Sequence, residues 1–182
     1  MPMINPLHTQ RGTTLVEVLI AALIIGIGLL GIASLQIKAL QASTNAEHRA
    51  AATDIAAALA DRIRANLTQI NSYVSTPLAS CSAPVKECAS SPDEATTAAQ
   101  CTGAEMATYD LNTIRCADGS GAKNKLPGGE VTITCDAPCD GTTAMHIQVR
   151  WEVRNDVFGE TNSQGNASDS ITLSMIPGVD PE

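Results

Sequence analysis

A single apolar run dominates the start of the chain. Arg11 is followed by a short segment that contains two threonines and ends at Glu17. Residues 18–37 come next, and they carry no charged side chain. As a helix, this run of twenty residues would span about 30 Å, the thickness of the hydrocarbon core of a bilayer. One carboxylate, Glu17, stands at its head, where lipid makes a charge costly. The pattern predicts that residues 13–37 form the transmembrane half of an N-terminal helix and that Glu17 has a specific role.

A second apolar pattern follows with helical spacing. Residues 38–70 are rich in alanine and contain no glycine or proline. Large apolar residues recur there at steps of four, four, four and three, namely Ile55, Leu59, Ile63, Leu67 and Ile70. This spacing places them on one face of a helix, which needs a sheet to cover it. We therefore expect one helix over about residues 14–70, with a periplasmic amphipathic half at 38–70.

The C-terminal third changes to a period of two. Apolar residues alternate with polar ones in segments 131–135, 145–153 and 171–175. Alternation of this kind is typical of strands with one buried face. We expect an antiparallel sheet of three to four strands within residues 129–176, followed by a tail at 177–182. The predicted fold class is α+β, with the long helix packed on this small sheet.

The middle of the chain is poor in large apolar residues and rich in cysteine. Residues 71–128 are predicted to be irregular and held by disulfides, with a short helix near 93–100. The six cysteines all lie beyond the apolar run, at Cys81, Cys88, Cys101, Cys116, Cys135 and Cys139. An even number of this kind indicates disulfides and an oxidising compartment. Six cysteines allow fifteen pairings, and pairing of Cys135 with Cys139 across a turn is left open.

Charge and motifs exclude several classes of function. The net charge of −8 disfavours broad binding to nucleic acid. The chain has no HExxH, glycine-rich phosphate loop or GxSxG motif, and we expect no enzyme activity, cofactor or metal. His146 is expected on a polar strand face with no carboxylate spaced as its partner. Asp136, Asp140 and Asp156 lack the regular spacing of a calcium site.

The start of the helix resembles the class III signal of type IV pilins and pseudopilins. That signal is a glycine followed by five residues that end in glutamate and lead into an apolar helix, and here it reads Gly12-Thr13-Thr14-Leu15-Val16-Glu17. The resemblance implies that a prepilin peptidase removes leader 1–12 between Gly12 and Thr13, and that Thr13 is then N-methylated. It also implies a role for Glu17 in assembly and the lollipop shape of pilins. Thr13 stands where major pilins usually have phenylalanine.

The segment DRIRAN at residues 61–66 strengthens the resemblance to a minor pilin of the type IV pilus. By charge alone, Asp61, Arg62 and Arg64 are expected on a solvated helix face, with local ion pairs worth about 0.3–0.5 kcal/mol each. The alternative is that these three residues form a contact surface for another subunit.

The resemblance implies a function in filament assembly. A minor pilin would work with other minor pilins, the major pilin, a large tip adhesin, the prepilin peptidase and the inner-membrane assembly platform. It would start in the inner membrane, N-terminus in the cytoplasm and head in the periplasm, and end at the cell surface. Three alternatives remain open: a minor pseudopilin of a type II secretion system, a DNA-binding competence pilin, and a membrane-anchored periplasmic domain with no filament role.

Overall fold

The computed structural model describes residues 14–76, 81, 86–89, 99–153 and 167–178. The chain divides into two compact units, residues 1–44 and 45–182, and each is described by itself. Helix α1, Leu15–Arg64, runs through residues of both units. The predicted leader 1–12 and Thr13 lie outside the described residues.

In the first unit the described residues are helical from Leu15 onward. Thr14 precedes the helix, and its Oγ1 accepts a hydrogen bond from the Glu17 amide at 3.3 Å. The large apolar side chains between Leu15 and Leu40 are 46% to 77% exposed. By length and composition α1 can cross a membrane, so a bilayer or neighbouring helices would have to cover this surface.

In the second unit the apolar stripe of α1 is buried, as its spacing predicts. Ile55, Leu59 and Ile63 are at most 6% exposed. The helix ends at Arg64, however, and is followed by a 3₁₀ turn at Leu67–Gln69 and a short helix α2 at Ile70–Tyr73. The prediction of a continuous helix to residue 70 is therefore wrong over its last turns.

The helix ends because of a tertiary contact and not because of a helix-breaking residue. Asn66 has a non-helical backbone, with φ −137° and ψ 52°. Its side-chain amide donates to the Gly103 carbonyl at 2.8 Å. Side chains of this type compete with helical backbone bonding when another partner is in reach.

Three strands form the sheet, and this agrees with the predicted α+β class. The strands are β1 (Glu130–Cys135), β2 (Met145–Val153) and β3 (Ala167–Met175), in the order β1-β2-β3 with both pairs antiparallel. One face is buried, with Val131, Ile133, Met145, Ile147, Val149 and Trp151 at most 1% exposed. These residues share one hydrophobic core with the stripe of α1.

The region 71–128 contains helices that the sequence interpretation missed. Helix α3 spans Gly103–Cys116 and the short helix α4 spans Ala122–Lys125. The prediction of an irregular chain is wrong for these residues, and the helix expected near 93–100 falls largely on residues outside the described part of the chain. Helix α3 forms because Thr102 and Glu105 make a capping box at its start, and because Ala107, Leu111 and Ile114 face the core.

All six cysteines are paired, as Cys81–Cys116, Cys88–Cys101 and Cys135–Cys139. Cys101 lies just before α3, and Cys116 is its last residue. Two disulfides therefore hold the two ends of α3. The third closes the turn after β1, which is the pairing that the sequence left open.

Candidate functional site

The first candidate site is the N-terminal end of α1. Glu17 lies in the first turn, and its amide also donates to the Thr14 carbonyl at 3.0 Å. A carboxylate in the first turn is favoured by the partial positive charge of the helix N-terminus. The assembly role of Glu17, and the processing of Gly12 and Thr13, stay predictions because their partners are not in this chain.

The second candidate site is the DRIRAN segment, which the structure divides between two faces. Asp61 and Arg64 are exposed, and Nη1 of Arg64 lies 3.4 Å from Oδ1 of Asp61 across one helical turn. They match the expected solvated helix face. Arg62 instead donates from Nη1 to Oδ1 of Asp110 at 2.6 Å, and Asp110 is only 5% exposed. The prediction of a purely local ion pair is therefore wrong for Arg62, which binds a residue of α3.

The second oxygen of Asp110 is also occupied. The Tyr73 hydroxyl donates to Oδ2 at 2.7 Å. Burial, followed by this bond to Asp110, raises the pKa of Tyr73 above its ordinary value. The Asn66 amide donates to the Tyr73 hydroxyl at 3.3 Å as well as to Gly103. We call this set, Arg62, Asn66, Tyr73, Gly103 and Asp110, the Asp110 cluster.

The Asp110 cluster positions α3 against the end of α1. Arg62 in the last turn of α1 binds Asp110 of α3, and Asn66, just after α1, binds the carbonyl of Gly103, the first residue of α3. Gly103 leaves no room for a side chain, since a Cβ there would lie 2.6 Å from Cγ of Gln69. The cluster binds elements of the head to one another. Within the described residues, no group of three or more His, Cys, Asp or Glu side chains could hold a metal ion.

Arg115 makes a second buried polar contact, which the sequence interpretation missed. Its Nη2 donates to Ser75 Oγ at 2.8 Å, to the Thr76 carbonyl at 2.9 Å and to the Val131 carbonyl at 2.8 Å. Burial lowers the pKa of Arg115 from its ordinary value. The guanidinium holds segment 75–76 beside β1, where Ser75 and Ile133 exchange backbone hydrogen bonds of 3.1 and 3.0 Å. No local sequence pattern marks an arginine for this position.

His146 has neighbours that its sequence position did not suggest. Its Nδ1 lies 2.8 Å from Ser174 Oγ, and its Nε2 lies 3.5 Å from Asp136 Oδ1. The expectation that no carboxylate is placed beside His146 is therefore wrong. The three groups lie on the open face of the sheet, with the Asp136 side chain 63% exposed. A serine nucleophile needs a dry site with donors for the developing oxyanion, so this arrangement does not support a hydrolytic function.

Two family models match the chain. The prokaryotic N-terminal methylation motif matches residues 7–33, and the type IV pilin Tt1218 family matches residues 34–112. The chain is type IV pilin-like. Comparison with curated proteins and with solved structures finds no match.

The two matched segments contain both candidate sites. Gly12, Thr13 and Glu17 lie in the methylation motif, and all of the Asp110 cluster lies in the pilin segment. Pilins are structural proteins, which agrees with the expectation that the chain is not an enzyme. The sheet and Arg115 lie beyond residue 112, outside both matches.

Proposed function

We propose that this protein is a minor pilin of a bacterial type IV pilus, similar to the type IV pilus modification protein PilV. The observation that carries the proposal is the Gly12–Glu17 motif, which leads directly into the exposed apolar part of α1. Cleavage after Gly12 creates a new α-amine on Thr13. In the bilayer, the Glu17 carboxylate of a neighbouring subunit is its natural partner, because an unpaired charge costs several kcal/mol in a low dielectric.

The pairing of these two charges would set the axial register between subunits. Arg11 precedes the apolar run and favours an N-terminus in the cytoplasm. The head then enters the periplasm, where its disulfides are stable. The protein would join other minor pilins to prime filament assembly on the inner-membrane platform. It would then stay near the tip with a large adhesin, above the major pilin, and support twitching motility and adhesion.

Three sequence features favour a minor over a major pilin. Thr13 replaces the usual phenylalanine, Ser34 replaces the proline of major pilins, and DRIRAN resembles PilV. The structure changes how DRIRAN supports the proposal. Arg62 binds Asp110 within the head, so Asp61 and Arg64 are the charged residues of this segment that remain directed to solvent for a subunit contact.

The proposal is tested by the mature N-terminus and by incorporation into filaments. We expect mass spectrometry to find a chain that begins at Thr13, and Gly12→Ala to keep the leader. Glu17→Val is expected to be cleaved normally but to enter sheared filaments about tenfold less, the effect of losing about 1.4 kcal/mol of subunit contact. Glu47→Val, a matched change at an exposed site of α1, is the control.

Two results would contradict the proposal. An unprocessed N-terminus would leave only a membrane-anchored domain. Normal incorporation of Glu17→Val would remove the proposed register contact. Deletion of the gene distinguishes a type IV pilus from a type II secretion system. Loss of surface pili would indicate a minor pilin of the pilus, and loss of protein export would indicate a pseudopilin of the secretion system.

A further inference from the structure

The hydrogen bonds around β1 determine which backbone groups of the sheet face each neighbour. Ile133 bonds through both its N–H and C=O to Ser75, and Val131 accepts from Arg115. Both residues therefore direct their backbone groups away from β2. Backbone direction alternates along an antiparallel strand, so Thr132 is a hydrogen-bonded partner of Gln148, which lies opposite it.

The same alternation continues across β2. Because Gln148 faces β1, its neighbours Ile147 and Val149 direct their backbone groups to β3. They lie opposite Leu173 and Ile171, which therefore bond to β2. The remaining residues of β3 direct N–H and C=O to the outer edge of the sheet, and they are Ser168, Ser170, Thr172 and Ser174.

This outer edge is open in the described part of the chain. The Ser170 amide is bonded to the Asp169 carboxylate at 2.8 Å. The outward amides of Ser168, Thr172 and Ser174 have no hydrogen-bond partner among the residues that the structure describes. The opposite edge differs, because Ser75 bonds to both backbone groups of Ile133 and Arg115 bonds to the Val131 carbonyl.

The β3 edge also has few of the features that usually prevent pairing with another strand. Proteins protect long edge strands with lysine, proline or bulges. Ala167–Met175 has nine residues without lysine, arginine or proline. Its one charge, Asp169, is paired with Arg49 at 3.1 Å.

The apolar core is incompletely covered along the same edge. Ile147 and Val149 are 0% exposed, but their partners Ile171 and Leu173 are only partly buried. A further strand beside β3 would cover these two side chains and pair the free amides at the same time.

We propose that the β3 edge accepts an extended strand from a different subunit of the filament, which becomes a fourth strand of this sheet. The occupant has apolar residues at alternate positions, facing Ile171 and Leu173, and forms main-chain hydrogen bonds with Thr172. A second copy of this chain fits less well, because antiparallel pairing of two β3 strands sets Asp169 opposite an apolar residue or another Asp169. This inference rests on the proposed function.

Amide hydrogen exchange of the full chain tests the inference directly. The chain is purified in detergent alone and after co-expression with the other pilin-like subunits of the same organism. We expect exchange at Thr172 and Ser174 to be fast in the free chain and about tenfold or more slower in the complex. Exchange at Ile171 and Leu173, which bond to β2, should be slow in both samples.

A pair of substitutions adds an independent readout. Thr172→Pro removes the outward N–H and leaves the β2–β3 bonds intact, since proline is tolerated on edge strands. We expect it to lower recovery of the co-expressed subunits about tenfold, whereas Thr172→Val, which keeps the N–H, should not. Fluorescence of Trp151, the one tryptophan, reports whether each head is folded.

The possible outcomes separate this inference from the proposed function. A complex in which Thr172 exchanges as fast as in the free chain overturns the fourth strand alone. Protection of Thr172 in a homodimer overturns the assignment to a different subunit. Failure to form any complex overturns the proposed function and this inference with it. The exchange measurement decides the question even if Thr172→Pro does not fold.

Discussion

At the scale of single residues, Asp110 is a buried acid that binds residues of two other elements, α1 and α2. One carboxylate oxygen accepts from Arg62 and the other from Tyr73. Buried carboxylates are stable only with such partners, because burial removes the solvation of the charge. Arg62, which the sequence analysis expected on a solvated face with a subunit contact as the alternative, is therefore the residue that stabilises this buried acid.

Substitution of Asp110 is expected to destabilise the head. Asp110→Asn keeps the size but removes the charge that Arg62 and Tyr73 bind, and we expect a loss of about 2–3 kcal/mol in the free energy of unfolding. Asp61→Asn, on the exposed side of the same segment, should change it by less than about 0.5 kcal/mol. Urea unfolding followed by Trp151 fluorescence measures both. Equal effects of the two substitutions would contradict the role of the cluster.

The raised pKa of Tyr73 predicts that the stability of the head depends on pH. The folded chain holds the phenol proton more tightly than the unfolded chain, because the pKa of Tyr73 is raised. Its contribution is therefore complete below the unfolded pKa of about 10 and is lost as the pH rises above that value. Urea unfolding should show that the free energy of unfolding of the unaltered chain falls between pH 8 and pH 11. The fall should be smaller in Tyr73→Phe.

Tyr109→Phe is the matched control, since it removes the other of the two tyrosines. This variant keeps the bond between Tyr73 and Asp110, so the alkaline loss of stability that this bond causes should remain. An identical alkaline loss in Tyr73→Phe would show that Tyr73 does not contribute.

At the scale of elements, helix α3 begins at a capping box and is held at both ends by disulfides. Glu105 accepts from the Thr102 amide at 2.8 Å and from Lys86 at 2.9 Å. The bond from Thr102, followed by that from Lys86, lowers the pKa of Glu105 to about 2. The Thr102–Glu105 spacing is visible in the sequence as a capping box. The disulfides that hold both ends of α3 cannot be read from the sequence, because spacing alone does not decide among fifteen pairings.

The turn between β1 and β2 is an element whose geometry requires glycine. Gly141 has a φ of +88°, and a Cβ there would lie 2.2 Å from the Gly178 carbonyl oxygen. Gly178 in turn donates its amide to the Gly141 carbonyl at 3.0 Å. This contact fixes the chain after β3 to the turn.

Two alanine substitutions separate backbone strain from steric conflict. Gly119→Ala meets open space at a φ of +71° and should cost about 1–2 kcal/mol, the strain of the left-handed conformation. Gly141→Ala adds a clash with backbone atoms and should cost at least about 1 kcal/mol more. Thermal unfolding measured by circular dichroism compares them. Equal costs would show that the contact with Gly178 contributes nothing.

At the scale of the whole molecule, the chain combines an exposed apolar helix with a head that has its own core. The exposed apolar surface needs a bilayer or a bundle of similar helices to cover it. The proposed function supplies both, the inner membrane before assembly and the filament after it. The pilin family match ends at residue 112, before the sheet begins. The open β3 edge therefore lies in a part of the chain outside the family match.

The sequence by itself determined the apolar helix, its buried stripe and the three strands, because periods of 3.6 and 2 are local properties of the chain. It also determined the pilin-like character, through a contiguous motif. Only the tertiary structure decided where α1 ends, which cysteines pair and what Arg62 binds. The end of α1, the Cys81–Cys116 disulfide and the partner of Arg62 depend on residues distant in the sequence. Arg62 and Asp110, for example, are 48 positions apart, and local patterns do not encode such contacts.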